Sequence, residues 1–290
     1  MSRILAPTEL VLNPDGSLYH CNLLPENIAD TVLLVGAPDR VPKISALFDR
    51  VDFTTQKREI VTHTGIKNGK RITVLSTGMG TDNIDIVLNE LDAAVNVDLK
   101  TRTIKPEHKQ LNFIRLGTSG SLQPDIPPDS FLAGTHGLGF DGLLHYYQNT
   151  ARFTHNDFIN QLVNDLHWNP LLPRPYLVEA DASLLGLLPE TGFYRGVTAT
   201  ATGFYGPQGR VLRLPVTDAE MNEKLSAFRH KELRITNFEM ETSALYGLSA
   251  LLGHRALTVN CIIANRFTLQ FSKDYQKAVI EMVGRVLEVL

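Results

Sequence analysis

The chain has 290 residues and a formal net charge of −3, with 43% hydrophobic and 20% charged residues. These proportions are typical of a globular protein and exclude disordered, collagen-like and coiled-coil chains. The charge also argues against nonspecific nucleic-acid binding, because a duplex binder normally carries a concentrated basic surface.

The sequence favours a soluble, cytoplasmic protein. The first ten residues contain no apolar run of signal-peptide length, and no segment approaches the roughly 18 apolar residues of a spanning helix. The two cysteines, Cys21 and Cys261, lie far apart, and the nine histidines are scattered without metal-ligand spacing. We therefore expect neither a membrane partner nor a catalytic metal.

Strands and helices are expected to alternate along the chain. Short apolar runs end at glycines, and segments with helical periodicity follow them, while residues 119–150 are rich in turns. The alternation predicts one α/β domain, residues 1–290, with three αβα layers around a central mixed, twisted sheet. The predicted strands are 31–35, 71–76, 111–116, 196–201 and 256–264, and the predicted helices begin at Pro38, after Gly80, near residue 155, near Thr236 and near residue 273.

Two carboxylates two residues apart stand out in the segment 236–241, Thr-Asn-Phe-Glu-Met-Glu. Thr236 and Glu239 have the spacing of a capping box, which gives Glu239 a task at a helix start. Glu241 would then lie one turn into the helix, among apolar residues that face the core. Because a buried carboxylate needs a partner, a bound ligand is one candidate for Glu241.

Arginines mark two candidate anion sites. The segment 36–40, Gly-Ala-Pro-Asp-Arg, places a glycine turn and an expected helix start at a strand end, where N–H groups favour an anion. An ordinary strand-to-helix turn is the alternative. Arg115 lies within an apolar strand, so its charge must meet a carboxylate or a bound anion. The following Gly-Thr-Ser-Gly, expected to form a turn from Gly117, offers hydroxyl groups and favours a bound phosphate or sugar over a structural ion pair.

A Gly/Pro-containing loop brings Phe204, Gln208 and Arg210 together. An amide beside a guanidinium suits a planar imide edge such as that of uracil, although a polar surface loop would have the same composition. Gly78 and Gly80 superficially fit a dinucleotide fingerprint. Asn83 replaces its third glycine, so we do not expect NAD.

Five motifs in order resemble the nucleoside phosphorylase superfamily, in its uridine phosphorylase branch. The resemblance extends from about His20 to Arg266. Each motif alone is common, but five in this order at similar spacing are specific. The motifs are Gly-x-Pro-Asp-Arg at 36–40, Arg-Leu-Gly-Thr-Ser-Gly at 115–120, Phe-Tyr-x-x-Gln-x-Arg at 204–210, Asn-Phe-Glu-Met-Glu at 237–241 and Asn265-Arg266.

The resemblance implies a site with three parts and assigns this chain's residues to each. The implied phosphate-binding residues are Gly36, Arg40, Arg58, Arg115 and Thr118, with Arg58 contributed by a neighbouring subunit. The implied ribose-binding residues are His20, Thr118, Met240 and Glu241, with His20 reaching across a dimer interface. The implied base-binding residues are Phe204, Gln208, Arg210 and Arg266. The implied catalytic residues are Arg115, Glu241 and Arg210.

The resemblance also implies an activity and its partners. The reaction is phosphorolysis of uridine to uracil and ribose 1-phosphate in pyrimidine nucleoside salvage and catabolism, with deoxyuridine and thymidine as further candidate substrates. Inorganic phosphate is the co-substrate, no cofactor is implied, and Glu59 is a candidate for a structural monovalent cation site. Since Arg58 and His20 would be shared between subunits, the implied assembly is at least a dimer.

Two alternative functions remain open, and two positions depart from relatives. A nucleoside hydrolase would use water and would not need the arginines, whereas a glycosidase generally needs a second carboxylate. A noncatalytic nucleoside- or phosphate-binding protein would need neither Glu241 nor Gln208. Purine-specific members have Ser-Asp at Asn265-Arg266, which favours a pyrimidine here. Residues 200–203 read Thr-Ala-Thr-Gly where bacterial relatives have Ser-Ser-Asp-Thr, which changes the pocket floor.

Overall fold

The computed structural model describes residues 3–290, and within them it contains a 12-stranded sheet, a separate two-stranded sheet and seven α-helices. The strands are β1 (Thr31–Val35), β2 (Arg50–Lys57), β3 (Ile60–Lys67), β4 (Lys70–Ser76), β5 (Val97–Asp98), β6 (Thr103–Ile104), β7 (Asn112–Ser121), β8 (Phe131–Gly139), β9 (Tyr176–Glu179), β10 (Tyr194–Thr200), β11 (Arg229–His230), β12 (Leu233–Glu239), β13 (Arg255–Asn265) and β14 (Gln270–Phe271). The helices are α1 (Arg40–Ser45), α2 (Thr81–Asn96), α3 (Asn156–Asp165), α4 (Ala182–Leu185), α5 (Met221–Ala227), α6 (Thr242–Leu252) and α7 (Tyr275–Val289).

The large sheet is mixed and partly closed on itself. Its strand order is β11-β12-β10-β8-β13-β7-β1-β4-β3-β2, with β9 on β8 and β14 on β13. β7 also pairs with β12, so that β12, β10, β8, β13 and β7 form a ring of five strands. At the centre, the adjacent strands β4, β1, β7 and β13 run parallel to one another. Their carboxyl ends therefore meet at one edge of the sheet, where α/β folds commonly bind ligands.

Alternate residues of the central strands face opposite helical layers. In β1, Val32 and Leu34 pack in the same cluster as residues of α2 and α6. Leu33 and Val35 point to the other face and pack in the cluster of α1 and α7. This alternation explains why the strand is apolar throughout, since both of its faces are buried. The predicted α/β fold with layers on both faces of a mixed sheet is confirmed.

The ring of strands has a core of its own. Phe158 and Leu162 of α3 and Leu225 of α5 pack with Val197 of β10 and Phe238 of β12. The single-domain prediction stays a prediction. Across residues 3–290 there is no helix with both the length and the apolar character needed to cross a bilayer.

Most predicted elements are present, but several boundaries and assignments were wrong. β1 has the predicted bounds, whereas α1 begins at Arg40, two residues after Pro38. β7 does not end at Gly117 but continues to Ser121, so the expected Gly-Thr-Ser-Gly turn is strand. The turn-rich region contains β8, and the β2–β3 hairpin was not anticipated.

The helix expected near Thr236 begins instead at Thr242. Thr236 lies in β12, where its hydroxyl donates to the Val197 carbonyl, so the capping-box assignment was wrong. Glu239 does cap the helix, because its carboxylate accepts the N–H groups of Glu241 and Thr242, each at 3.0 Å. Glu241 is the N-cap residue rather than a residue one turn into the helix.

Candidate active site

The loops that follow β1 and β4 lie against each other at the carboxyl edge of the sheet. The Gly78 N–H donates to the Gly36 carbonyl at 3.0 Å. Gly78 and Gly80 both have positive φ, a conformation that glycine adopts without steric cost, and α2 begins directly after Gly80. This edge carries Arg40 at the start of α1 and faces Arg115 on the neighbouring β7.

Arg115 is buried, with 4% of its surface exposed, and its guanidinium is held by three side chains. One terminal nitrogen, Nη2, makes a short ion pair with Glu241. The other, Nη1, lies 3.6 Å from Oε2 of Glu239 and 3.5 Å from Oδ1 of Asn260. The carboxylate that the sequence required for Arg115 is therefore within the protein. The structure thus contains a structural ion pair at Arg115, which was the alternative to a bound phosphate or sugar.

Gly117 leaves the space in which the Arg115 guanidinium lies. A Cβ atom at Gly117 would stand 1.9 Å from Nη1 of Arg115 and 2.4 Å from Oδ1 of Asn260. Since residues two apart on a strand share a face, only glycine leaves room for the arginine to fold back over its own strand. Gly117 is therefore a positioning residue that sequence reasoning had treated as a strand end.

Replacing Gly117 by alanine should displace the Arg115 guanidinium and lower activity at least about tenfold, since small misplacements at a reacting centre are costly. Steady-state kinetics at saturating nucleoside would measure the loss, with phosphate KM as the second readout. Gly284→Ala in α7 is the matched control, because a Cβ there meets nothing within 4 Å. Wild-type kinetics in Gly117→Ala would contradict the steric role.

Glu241 is held between a helix start and an arginine. Its Oε1 accepts the N–H of Gly80 at 2.7 Å, and its Oε2 contacts Arg115. Burial raises the pKa of Glu241, and the neighbouring Glu239 adds to the rise, while Arg115 and the Gly80 N–H oppose it. A carboxylate fixed at both oxygens is preorganised to accept further hydrogen bonds.

Arg40 lies beside Arg115 and has no carboxylate of its own. Its Nη2 donates to the Thr118 hydroxyl at 3.4 Å, and among residues 3–290 no carboxylate lies within ion-pair distance of it. Asp39 pairs with Lys43 instead. Burial lowers the pKa of Arg40, and the charge of Arg115 lowers it further. Two guanidinium groups this close, one without a counterion, form a site for an anion.

A second cluster lies further along β7, around Gln208. Arg266 donates through Nη1 to the Gln208 carbonyl and through Nη2 to its side-chain Oε1, both at 2.7 Å. Arg210 also donates to Oε1, at 2.8 Å, and its guanidinium stacks 3.6 Å above the Phe204 ring. Burial lowers the pKa of Arg266 to about 10, and the charge of Arg210 adds to the shift, so Arg266 stays charged at neutral pH.

The Gln208 cluster and the Arg115 cluster share β7 as their floor. Arg266 Nε lies 3.4 Å from where a Cβ of Gly120 would stand, and its guanidinium is 5.9 Å from the Phe238 ring. The Arg115 guanidinium lies over Gly117, and Gly117 and Gly120 are three residues apart on the strand, which corresponds to about 10 Å. Thr118 lies between them. The candidate site, called the groove below, therefore extends along β7 with an anion-binding end and a hydrogen-bonding end.

The chain was compared with known proteins. The model of the phosphorylase superfamily matches residues 30–289, which include both clusters. The chain belongs to the phosphorylase superfamily. A uridine phosphorylase of Thermococcus kodakarensis is 30% identical over 282 residues, covering 95% of this chain and 87% of the relative. A DeoD-type purine nucleoside phosphorylase of Caldanaerobacter subterraneus is 28% identical, covering 91% of this chain and 95% of the relative.

A solved structure is also similar over nearly the whole superfamily fold. A Trypanosoma brucei nucleoside phosphorylase, whose crystal structure shows uridine phosphorylase activity, superposes with a TM-score of 0.87 at 30% identity. The match covers 97% of this chain and 99% of that chain. The resemblance inferred from five motifs is thus confirmed at the level of the family and its fold.

Two residues predicted for the site, Arg58 and His20, make no contact with Arg115. Arg58 is exposed at the tip of the β2–β3 hairpin, and its guanidinium is 5.9 Å from the Tyr19 ring beside His20. The His20 Nδ1 lies 2.6 Å from Glu90. Neither residue contacts the anion-binding end of its own chain, and their contribution to a neighbouring subunit's site stays a prediction.

Glu59, the candidate for a monovalent cation site, is exposed beside Arg58. Neither of the two groups of potential metal ligands found in residues 3–290 includes it. Met240 is half-buried at the bend between Glu239 and Glu241, as a ribose-contacting residue would be. A cavity of about 900 Å³ is lined by residues of the loop 205–218, including Arg210, and by Trp168 and Phe238.

Several residues of the candidate site were not predicted from the sequence. Gly80 and Asn260 contact Glu241 and Arg115 only because β4 and β13 are neighbours of β1 and β7. Glu90 accepts the N–H groups of His20 and Cys21 as well as facing the His20 ring. Glu90 could have been recognised from the sequence, because it is a carboxylate next to Leu91 on the apolar face of α2.

Proposed function

We propose that this chain is a uridine phosphorylase, which cleaves the N-glycosidic bond of uridine with inorganic phosphate and yields uracil and ribose 1-phosphate. The observation that carries the proposal is the pair of adjacent guanidinium groups, Arg40 without a carboxylate and Arg115 in contact with Glu241. The charge of Arg40 favours a bound anion at one end of the groove, and Glu241, which would bind the ribose, lies beside it. The 30% identity to a uridine phosphorylase supports the same activity.

Phosphate would bind between Arg40 and Arg115 and accept a hydrogen bond from Thr118. One phosphate oxygen forms a bond to C1′ of the ribose as the bond from C1′ to N1 of uracil breaks, and the bonding electron pair leaves on the base. Glu241 would accept hydrogen bonds from the 2′ and 3′ hydroxyl groups and stabilise the oxocarbenium-like transition state. Arg115, which contacts Glu241 and faces Arg40, orients both groups.

The departing base carries negative charge, and the Gln208 cluster supplies hydrogen-bond donors for it. The Gln208 Oε1 already accepts from Arg210 and Arg266, so its Nε2 amide group is the part directed to a ligand. Two guanidinium groups and an amide N–H suit the O2 and O4 oxygens of a uracil anion. The Arg210 guanidinium over Phe204 and the exposed face of this ring, 50% accessible, leave a surface for stacking.

A pyrimidine preference follows from the two residues after the last central strand. Asn265 is buried, and its side chain is fully used by the carbonyls of Gln123 and Ile126 and by the following N–H groups. Arg266 points to Gln208 and cannot protonate a base as an acid would. The carboxylic acid with which purine-specific members meet purine N7 is therefore missing.

Inorganic phosphate is the co-substrate in this proposal, and no cofactor is required. The assembly is at least a homodimer, because Arg58 would complete the phosphate site and His20 would contact the ribose 5′ hydroxyl of the neighbouring subunit. Glu90 holds the His20 ring through Nδ1 at 2.6 Å, which leaves Nε2 for that contact. Pyrimidine nucleoside salvage or catabolism is the corresponding role.

Uridine cleavage should depend strictly on inorganic phosphate. The chain, dialysed free of phosphate, should release no uracil above the uncatalysed rate, and activity should appear with a saturable dependence on added phosphate. Ultraviolet absorbance or chromatography measures uracil, and ribose 1-phosphate should form in equal amount. Equal uracil release without phosphate would identify a nucleoside hydrolase, and binding of uridine without turnover would identify a noncatalytic binding protein.

Inosine should be a poor substrate compared with uridine, because Arg266 stands where an acid would be needed. We expect kcat/KM for inosine to be at least about 100-fold lower, a ratio that a missing polar contact readily produces. The same assay with deoxyuridine and thymidine measures how far kcat/KM depends on the 2′ hydroxyl that Glu241 would bind. Comparable rates for inosine and uridine would refute the argument from Asn265 and Arg266.

A further inference from the structure

A cluster of two histidines and a glutamate lies on β8, β9 and the residue before α3. His136 of β8 is directly opposite Glu179 of the antiparallel β9. His155, held by its backbone N–H on the Leu177 carbonyl, completes the group. The His155 Nε2 lies 3.1 Å from Glu179 Oε1, and the His136 Nε2 lies 3.6 Å from the same oxygen. None of these residues belongs to the groove around β7.

The tautomer of His136 is set by its neighbour Thr135. The Thr135 hydroxyl donates its proton to the Gly196 carbonyl at 3.1 Å. It must therefore accept from Nδ1 of His136, 3.0 Å away, so that this nitrogen carries the ring proton. With the ring proton on Nδ1, the Nε2 atom of His136 is the ring nitrogen that can bind a metal ion.

The Nε2 atom of His136 consequently lies 3.6 Å from a carboxylate oxygen of Glu179. A metal ion between these two atoms would bind both, and Nε2 of His155, 3.1 Å from the same carboxylate oxygen, is a third candidate ligand. A histidine whose other nitrogen donates to a protein group is the arrangement found at metal ligands.

We propose that His136, His155 and Glu179 form a zinc site. Zinc bound to nitrogen and oxygen at about 2.0–2.1 Å in tetrahedral geometry places its ligand atoms about 3.4 Å apart. The observed distances of 3.1 and 3.6 Å bracket this value, and the three ligand atoms lie within 4.8 Å of one another. Two imidazoles and one carboxylate leave a fourth position for water.

The second group of potential ligands, Asp92, His108 and His254, does not share this property. The His254 Nδ1 accepts the Leu111 N–H at 3.2 Å, so Nε2 carries the proton and donates it to Asp92 at 3.1 Å. The His108 Nε2 lies 2.9 Å from the Leu252 carbonyl and must donate to it. Both Nε2 atoms are already satisfied donors, and His108 therefore provides a matched control.

The test is calorimetric titration of ZnCl₂ into the full chain after treatment with a chelator, in phosphate-free buffer. We expect one zinc ion per chain, with affinity at least tenfold weaker in His155→Ala and in Glu179→Ala and unchanged in His108→Ala. Co²⁺ should give visible absorption bands typical of a tetrahedral or five-coordinate site, and these should disappear in His155→Ala. Equal zinc affinity in wild type and His155→Ala, or a loss in His108→Ala alone, would overturn the proposal.

Thr135 acts as a positioning residue for the site and offers a second test. Thr135→Val keeps the shape of the side chain but removes the acceptor that fixes the His136 proton on Nδ1. Loss of such an outer partner typically costs 10–100-fold in metal affinity, and we expect that range here. Circular dichroism confirms that each variant is folded, so that unchanged zinc affinity in folded Thr135→Val would contradict the assignment of the tautomer.

Discussion

Replacing Glu241 by glutamine should lower kcat for uridine phosphorolysis by about 10²–10³-fold, the range seen when one preorganised electrostatic group is removed. Glutamine keeps the shape and can still accept the Gly80 N–H at 2.7 Å, but it lacks the charge that opposes the oxocarbenium-like transition state. Phosphate affinity should stay equal or rise, because Arg115 loses a competing anion. Steady-state kinetics and phosphate titration measure the two effects separately.

The free energy of unfolding of Glu241→Gln should stay close to that of the wild type, although its kcat falls strongly. Glu239 remains 3.6 Å from Nη1 of Arg115, so the buried guanidinium keeps one counterion. Urea unfolding with and without phosphate provides the control, since phosphate should stabilise the variant further by binding the folded state. If the loss of activity equalled the loss of folded protein, Glu241 would be a structural residue and the proposed ribose contact would be wrong.

Replacing Arg115 by methionine should abolish measurable phosphorolysis and lower the free energy of unfolding by about 3–5 kcal/mol, as when one partner of a buried ion pair is removed. The variant leaves Glu239 and Glu241 together, both almost fully buried and without their cation. Isothermal urea denaturation at pH 7.5 measures the loss. Arg234→Met, which breaks the surface pair with Asp125 at 2.8 Å, is the control and should cost at most about 1 kcal/mol.

The deficit of Arg115→Met should shrink as the pH falls. Burial and Glu239 already raise the pKa of Glu241, and removal of Arg115 takes away the main influence that lowers it. A carboxyl group whose pKa is raised in the folded state destabilises the fold above that pKa, and protonation relieves this penalty as the pH falls towards the ordinary value of 4.5. A deficit independent of pH between 7.5 and 5.5 would contradict this account.

The central part of the fold was predictable because its strands are apolar on both faces. β1, β4 and β13 were found from continuous apolar runs, and α2 from its helical periodicity. β8 escaped because its sequence, Phe-Leu-Ala-Gly-Thr-His-Gly-Leu-Gly, contains three glycines, which weaken strand propensity. The three-dimensional structure explains each of these glycines. A Cβ atom at the first would meet Thr198, at the second Ser243 and at the third Tyr176.

The edge hairpin and the start of α6 show two other limits of sequence reasoning. β2 is exposed along most of its length, and only Val51 and Phe53 alternate as apolar residues, a pattern too short to identify a strand. Thr236 and Glu239 have the spacing of a capping box, but β12 pairs with β10 over residues 235–239, and this tertiary pairing overrides the local signal. Glu239 still reaches the helix start, because β12 leads directly into α6.

The site residues could be predicted from their chemistry, but the contacts between them could not be predicted without the order of the strands in the sheet. Sequence reasoning selected Arg40, Arg115 and Glu241, but it placed Glu241 in a helix and left its partner open. That Arg115 is this partner depends on β7 lying next to β1 and against the end of β12. The role of Gly80 could not be predicted from the sequence, because its N–H group reaches Glu241 only when the start of α2 lies beside that residue.

The strand ring and its central neighbours have a consequence for the order of events during folding. Arg115 meets Glu241 across 126 residues and Asn260 across 145, Gly80 meets Glu241 across 161, and Arg40 meets Thr118 across 78. Contacts between such distant segments pay a large loop-closure entropy and form slowly. A refolding chain should regain helical circular dichroism first and affinity for phosphate last, when β7 has been enclosed by β1, β13 and β12.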